Sequence, residues 1–234
     1  MFVSAIVPAA GSGLRLRSPL PKPLVSLNKK PIFVHTLNTL SRHPNIREII
    51  LVVSRKTFNT TASYLKKYRI RKIKKLVIGG RSRCASVQNG LKWVSEKADL
   101  VLIHDAVRPF IELSMVSRVI QEAERTGAAI LGVPIKSTVK KIDARGKVIS
   151  TLRREHLHEI QTPQVFQRDL IIKAYKKFPN VSAVDDSSLV ERLGSKVSVV
   201  LSSYFNIKIT TPEDLLLAHS ILKGHFLTQS RDVS

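Results

Sequence analysis

The sequence predicts an α/β fold, a mostly parallel sheet flanked by helices with a protruding β-hairpin arm. Three observations carry this. Apolar runs and stretches of helical periodicity alternate as far as Val133, and repeated strand–helix units imply parallel pairing with right-handed crossovers. The first run, Val3–Pro8, passes directly into the small-residue turn Ala9-Ala10-Gly11-Ser12-Gly13. The alternation then breaks between about 136 and 160, where two β-patterned runs flank Asp143-Ala144-Arg145-Gly146 in the manner of a hairpin. The expected architecture is Rossmann-like, and ligands in such sheets sit at the carboxyl ends of the strands.

Taken in order, strands are expected at Val3–Pro8, Glu48–Val53, Lys75–Ile78, Leu100–Ile103 and Ala128–Val133. Helices are expected near Ile32–Arg42, Thr57–Tyr68, Arg83–Val94 and Ser114–Thr126. The hairpin pairs Thr138–Ile142 with Lys147–Leu152; a hairpin alone is marginally stable and must pack on the rest of the chain or on a second subunit. Helices near Asp169–Phe178 and Ser187–Leu193 follow, then a pair of strands that includes Asn206–Thr210, then a last helix at Pro212–Leu222. Pro212 suits the first turn of that helix, and Glu213 and Asp214 lie beside its positive end. Residues 1–224 are expected to form one domain that includes the arm, with 225–234 as a C-terminal tail.

Hydrophobic content of 43% with 24% charged residues describes a soluble globular protein. There is no run of about 18 apolar residues, so no membrane span is expected. With no signal-peptide layout and one cysteine, Cys84, the expected location is the cytoplasm. Cys84 is spaced with Val87, Leu91 and Val94 as a helix-face residue rather than a nucleophile. The net charge of +22, from 39 Lys+Arg against 17 Asp+Glu, attracts polyanions and raises nucleic acid as a partner. The densest basic run, Lys66–Lys75, is interleaved with apolar residues, and there is neither zinc-finger spacing nor an RNA-recognition signature. A solvated basic face is therefore the expectation, and nucleic acid is not an expected partner.

The first turn is followed by Arg15 and, inside Leu20-Pro21-Lys22-Pro23-Leu24, by Lys22. Small residues let backbone N–H groups approach a phosphate closely, and the two cations add charge. Glycine spacing alone allows a plain strand-to-loop turn; the paired cations favour a nucleoside triphosphate. The P-loop is excluded because Lys22 trails Gly13 by nine positions, and the dinucleotide fingerprint because its third glycine would fall at Leu16. Gly79-Gly80-Arg81-Ser82-Arg83, with Ser86 a turn further on, reads as a strand–helix connection or as a second close backbone approach. His104-Asp105-Ala106-Val107-Arg108-Pro109 closes the most hydrophobic strand. Asp105 there is either a helix cap or a Mg²⁺ ligand, since magnesium takes one or two carboxylates together with phosphate oxygens; His104 reads as structural. Arg153-Arg154 and Gln161-Thr162-Pro163-Gln164 lie at the base of the hairpin. Lys208, within Asn206-Ile207-Lys208-Ile209-Thr210, is either an edge gatekeeper or a functional cation.

Together these segments, from about Ser4 to Leu222, resemble the 2-C-methyl-D-erythritol 4-phosphate cytidylyltransferases of the non-mevalonate isoprenoid pathway. The resemblance rests on Pro8–Gly13 with Arg15, Pro21-Lys22, Gly79-Gly80 with Arg83 and Ser86-Val87, His104–Pro109, Gln161–Gln164 and Asn206–Leu215. It implies a Mg²⁺-dependent reaction of CTP with methylerythritol phosphate, giving the CDP-linked alcohol and pyrophosphate. It also implies the roles. Arg15 and Lys22 would stabilise the pentacoordinate phosphorus and the leaving pyrophosphate, Arg154 and Lys208 would hold the attacking phosphate, and Asp105 would bind Mg²⁺. Ala9, Ala10, Gly11, Ser12, Gly13, Gly80, Ser86 and Ala106 would form the nucleotide pocket, and Arg108, Thr138, Thr162 and Asp185 would contact the polyol phosphate. The same resemblance implies a homodimer in which the arm carries Arg154 and Thr138 into the neighbour's site. The chain departs from the family pattern at Pro23, Arg81 and Val184. A sister activity, ribitol-5-phosphate cytidylyltransferase, shares most of these motifs, and a basic nucleic-acid-binding protein is the alternative from charge alone.

Overall fold

The computed structural model describes residues 1–11, 13, 16, 18–179 and 183–229, the last five of these by backbone alone. Val3–Ala9 forms β1, followed by a 3₁₀ turn at Lys22–Leu24 and by the short antiparallel pair β2 (Ser26–Leu27) and β3 (Lys30–Pro31). The two residues between that pair, Asn28 and Lys29, both have positive φ, the conformation of a type I′ turn. Then come α1 (Ile32–Arg42), β4 (Ile46–Val53), α2 (Phe58–Lys67), β5 (Ile73–Ile78), α3 (Arg83–Leu91), β6 (Leu100–Ile103), α4 (Leu113–Thr126) and β7 (Ala128–Pro134). Gly127, with φ 89°, stops α4 in the left-handed conformation that glycine adopts without penalty. The arm is β8 (Val139–Ile142) paired antiparallel with β9 (Val148–Leu152). The chain continues through β10 (His158–Gln167), α5 (Arg168–Lys177), α6 (Ser187–Glu191), β11 (Ser198–Leu201) and α7 (Pro212–Gln229).

Among the described residues, seven strands form one sheet in the order β11-β7-β10-β6-β1-β4-β5. β1 pairs in parallel with β4 and β6, β4 with β5, and β7 with β11, while β10 runs antiparallel between β6 and β7. β1 and β6 read as nearly unbroken apolar runs because both faces of the sheet are covered. One face packs Phe33, Leu37 and Leu40 of α1 with Val116, Val119 and Ile120 of α4. The other packs Val87 of α3 with Ile171 and Tyr175 of α5 and Leu189 of α6. A third cluster seats Ala218 and Ile221 of α7 against Val25, Leu27 and Ile32 beside the first loop. Among the described residues no helix is long and apolar enough to cross a membrane.

The structure corrects the sequence expectation in two elements. β10 was not predicted, because Pro163 inside the run removes a ladder donor and argues against a central strand. The register of β10 against β7 breaks between Ile160 and Gln164, and the proline sits within that break. Conversely, Asn206–Thr210 is not a strand, and the expected strand pair reduces to β11 alone. Its backbone bonds singly to scattered partners, Ile209 N–H to the Val107 carbonyl and the Asn206 carbonyl to Arg108, so the Ile207/Ile209 alternation records local packing rather than a ladder. Smaller differences lie at element ends: α3 stops at Leu91, α6 stops at Glu191, and α7 runs on to Gln229, past the end expected at Leu222.

Candidate active site

A cleft of about 570 Å³ opens at the carboxyl ends of β1, β5 and β6. Its walls are the loop after β1, the Gly80–Arg83 loop entering α3, Asp105 just past β6, and Lys22, Val107 and Lys208. Glycine builds two of these walls. Gly13 has φ 73°, and a Cβ there would lie 2.9 Å from the Lys22 backbone nitrogen, so this glycine lets the Lys22 turn close onto the loop. At Gly79 a Cβ would lie 2.6 Å from Ala10 Cβ and 2.7 Å from Ser86 Oγ, so the two loops meet only because it is absent. Ser86, itself buried, donates to the Ser82 carbonyl at 2.8 Å and accepts from Gly80 N–H at 3.2 Å, which pins the second loop. Gly79→Ala should force these walls apart at an overpacking cost of about 1–3 kcal/mol, weakening the binding of a ligand held between them by roughly tenfold or more. Titration of the cleft with a nucleoside triphosphate, followed by calorimetry, checks this, and an unchanged Kd would refute it.

The polar groups converge on Asp105, which is 5% exposed. Its Oδ1 accepts from Arg83 Nε at 2.9 Å, and its Oδ2 lies 2.6 Å from Lys208 Nζ. Burial alone would raise the carboxyl pKa, but Arg83 and Lys208 outweigh it and hold Asp105 well below the usual carboxylate range. The Arg83 guanidinium is shared: Nη1 donates at 2.7 Å to Asp186, whose other oxygen accepts from Tyr175 Oη at 2.6 Å. Burial opposes the charge on Arg83, yet Asp186 and Asp105 together hold it firmly protonated. Burial and then Asp186 raise the Tyr175 pKa, so the phenol remains a donor.

His104 is fully buried and, as expected, structural. Its Nε2 donates to the Arg108 carbonyl at 3.1 Å, and its Nδ1 accepts from Thr162 Oγ1 at 3.0 Å, which fixes a neutral tautomer. Burial lowers its pKa to about 4, against the opposing pull of that carbonyl. Arg108 is buried and does not line the cleft; it donates from Nη1 to the Asn206 carbonyl at 2.7 Å. Its Nε is buried with no hydrogen-bond partner among the described residues.

A glycine-walled cleft at strand ends, lined by cations around one buried carboxylate, suits a phosphorylated ligand. Comparison with known proteins agrees. The family model for 2-C-methyl-D-erythritol 4-phosphate cytidylyltransferase matches residues 3–224. The chain belongs to this family. It is 49% identical over 224 residues to the 2-C-methyl-D-erythritol 4-phosphate cytidylyltransferase of Syntrophus aciditrophicus, covering 94% of this chain and 96% of that one. It is 43% identical to the protein of the same name from Desulforamulus reducens, over 94% and 96% of the two chains. Its fold matches the crystal structure of 4-diphosphocytidyl-2C-methyl-D-erythritol synthase from Anaerococcus prevotii with a TM-score of 0.84 at 38% identity, covering 95% and 96%. The cytidylyltransferase structure from Thermus thermophilus gives 0.78 at 28% identity, covering 95% and 100%.

Within this cytidylyltransferase-family fold, the predicted residues divide into those at the cleft and those elsewhere. Ala9, Ala10, Gly11, Gly13, Lys22, Gly80, Ser86, Asp105 and Lys208 all meet at the cleft. Asp105 caps no helix; its carboxylate is committed to the two cations. Ala106 does not line the cleft: it is fully buried, its N–H bonds to the Pro8 carbonyl, and its own carbonyl accepts from Thr36. Thr162 and Asp185 do not line the cleft either, and their polar atoms serve the protein. The Thr162 hydroxyl accepts from Asp105 N–H and donates to His104. The Asp185 carboxylate accepts from Gln164, Ser187 and Ser188 at the start of α6. Thr138 and Arg154 are exposed on the arm and do not line this chain's cleft; Arg154 donates to the Lys136 carbonyl at 2.6 Å. Arg15 and Ser12 lie outside the described residues. Of the family departures, Arg81 and Pro23 line the cleft and Val184 is 95% exposed. The residue that sequence reasoning left without a role is Arg83; its signal was the Gly-Gly-Arg-Ser-Arg run, but its two carboxylates lie 22 and 103 positions away.

Among the described residues no group of three or more His, Cys, Asp or Glu side chains could cage a metal. One ionised carboxylate nevertheless suits magnesium, which takes few protein ligands and fills its shell with phosphate oxygens and water. Each Asp105 oxygen holds one cation, so an arriving divalent ion competes with Arg83 and Lys208 for it.

Proposed function

We propose that the cleft transfers the cytidylyl group of CTP to 2-C-methyl-D-erythritol 4-phosphate, releasing pyrophosphate. The observation that carries this is the buried Asp105 held between Arg83 and Lys208 in a glycine-walled cleft, in a chain of this family. An oxygen of the acceptor phosphate forms a bond to the α-phosphorus as the bond to the bridging oxygen of pyrophosphate breaks, in line. The phosphate monoester is already ionised at neutral pH, so no general base is needed, and catalysis is positioning and charge neutralisation. Lys22 and Arg15 neutralise the pentacoordinate phosphorus and the departing pyrophosphate. Lys208 draws in the acceptor phosphate from the cleft wall, and Arg108, buried outside that lining, adds positive charge. Asp105 would hold a magnesium ion, which would supply positive charge to offset that of the phosphates.

The arm supports a homodimer. Ile142, Val148 and Ile149 are 57–59% exposed on a hairpin too small to be stable alone, and Thr138 and Arg154, at its base, are exposed and do not line this cleft. A monomeric mass in sedimentation would remove the shared site. Location in the cytoplasm completes the reading, consistent with the lone Cys84 in thiol form.

Pyrophosphate release from CTP and Mg²⁺, run with methylerythritol phosphate and with ribitol phosphate, tests the function. Turnover should require methylerythritol phosphate. Faster turnover with ribitol phosphate would move the chain to the sister activity, and release with neither would overturn the assignment.

A further inference from the structure

The Gln161-Thr162-Pro163-Gln164 segment lines none of the cleft, yet its three polar side chains are almost fully buried, at 3%, 5% and 1% exposed. Each reaches a different loop. The Gln161 amide oxygen accepts from Asn206 Nδ2 at 2.8 Å and from Ser202 Oγ at 2.7 Å, and its nitrogen donates to the Ser203 carbonyl at 3.2 Å. That fixes the chain two residues before Lys208, while Ile209 N–H on the Val107 carbonyl fixes it one residue after. The Thr162 hydroxyl accepts from the backbone N–H of Asp105 at 3.1 Å and donates to His104. The Gln164 amide oxygen accepts from the N–H groups of Asp186 and Ser187 at 3.1 Å each, and its nitrogen donates to Asp185 at 2.8 Å. That fixes Asp186, the group that holds Arg83.

The register break in β10 makes this possible. Side chains of a regular strand alternate between two faces, whereas a break re-aims them individually. Every hydrogen bond in the set is buried or part-buried, where losing a partner leaves a desolvated group unsatisfied and the alternative geometry is penalised.

We propose that Gln161, Thr162 and Gln164 are positioning residues that register Lys208, Asp105 and, through Asp186, Arg83 against one another. This rests on the cytidylyltransferase reading above and adds a function to a segment that does not itself line the cleft. Misplacing a catalytic group by about 1 Å costs on the order of 100-fold in rate. Gln161→Met and Thr162→Val should therefore each lower kcat by about 10- to 100-fold, with the larger change in kcat rather than KM, while Thr162→Ser, which keeps the hydroxyl, restores near-wild-type kcat.

The deciding experiment is a double-variant cycle on purified protein, with folding verified by thermal melts. If Gln161 acts through Lys208, Gln161→Met should add little loss to Lys208→Ala, because the group it positions is gone. Multiplying losses, or a folded Thr162→Val with wild-type kcat, would overturn the proposal. Failure of the cytidylyltransferase reading registers separately, as a wild-type enzyme that releases no pyrophosphate. The positioning is then judged in the crystal structure of Gln161→Met. Departure of Lys208 Nζ from its 2.6 Å contact with Asp105 supports it, and retention of that contact overturns it.

Discussion

Lys208→Ala is expected to lower turnover by about 100-fold or more, the loss typical of removing one preorganised charge contact from a transition state. Lys208 Nζ lies 2.6 Å from Asp105, and its side chain is 39% exposed at the cleft edge, placed to move from the carboxylate to an arriving phosphate. The variant leaves Asp105 with Arg83 still at 2.9 Å, so the fold should survive and the deficit should appear in kcat. Lys22→Ala should behave alike, since Lys22 faces the same cleft from the opposite loop. Pyrophosphate release under saturating CTP measures both, and a near-wild-type rate in either variant rejects that lysine's role.

Arg83→Met is expected to destabilise the protein by about 3–5 kcal/mol, the penalty of leaving buried charges without their partner. Arg83 joins Asp105 and Asp186, whose side chains are 7% and 1% exposed. Without the guanidinium, Asp186 keeps the Tyr175 hydroxyl and its backbone bonds but no cation. Combining Arg83→Met with Asp186→Asn should recover part of the loss, because an amide costs far less to bury unpaired than a carboxylate. Urea denaturation of the two variants checks this. If Arg83→Met alone is as stable as wild type, the buried network contributes nothing to the fold.

How much of this was legible depended on the range of the determinant. β1, β6 and α1 were predicted within a residue because their apolar period is local and uninterrupted. β10 was hidden by Pro163, whose cost in a central strand is relieved only where the register against β7 breaks. Lys208 stood out as an odd cation, but the strand drawn around it does not exist; single hydrogen bonds to Val107 and Arg108 tie that segment down. Ala106, Thr162 and Asp185 carried the right motif neighbours, yet their polar groups are consumed inside the protein.

By itself the sequence determined the order and type of the α/β units, the glycine-bearing loop after β1, and the set of cations and the carboxylate available for phosphate chemistry. Hydrophobic period, turn residues and residue chemistry act over a few positions, and each is written in the chain. Only the tertiary structure decided that Asp105 stands between Arg83 and Lys208, that Asp186 and Tyr175 brace the arginine, and that one irregular strand holds all three loops. Those pairings join positions as many as 103 residues apart. They exist because the sheet gathers strand ends from both halves of the chain, where burial makes each unpaired charge too costly to leave alone.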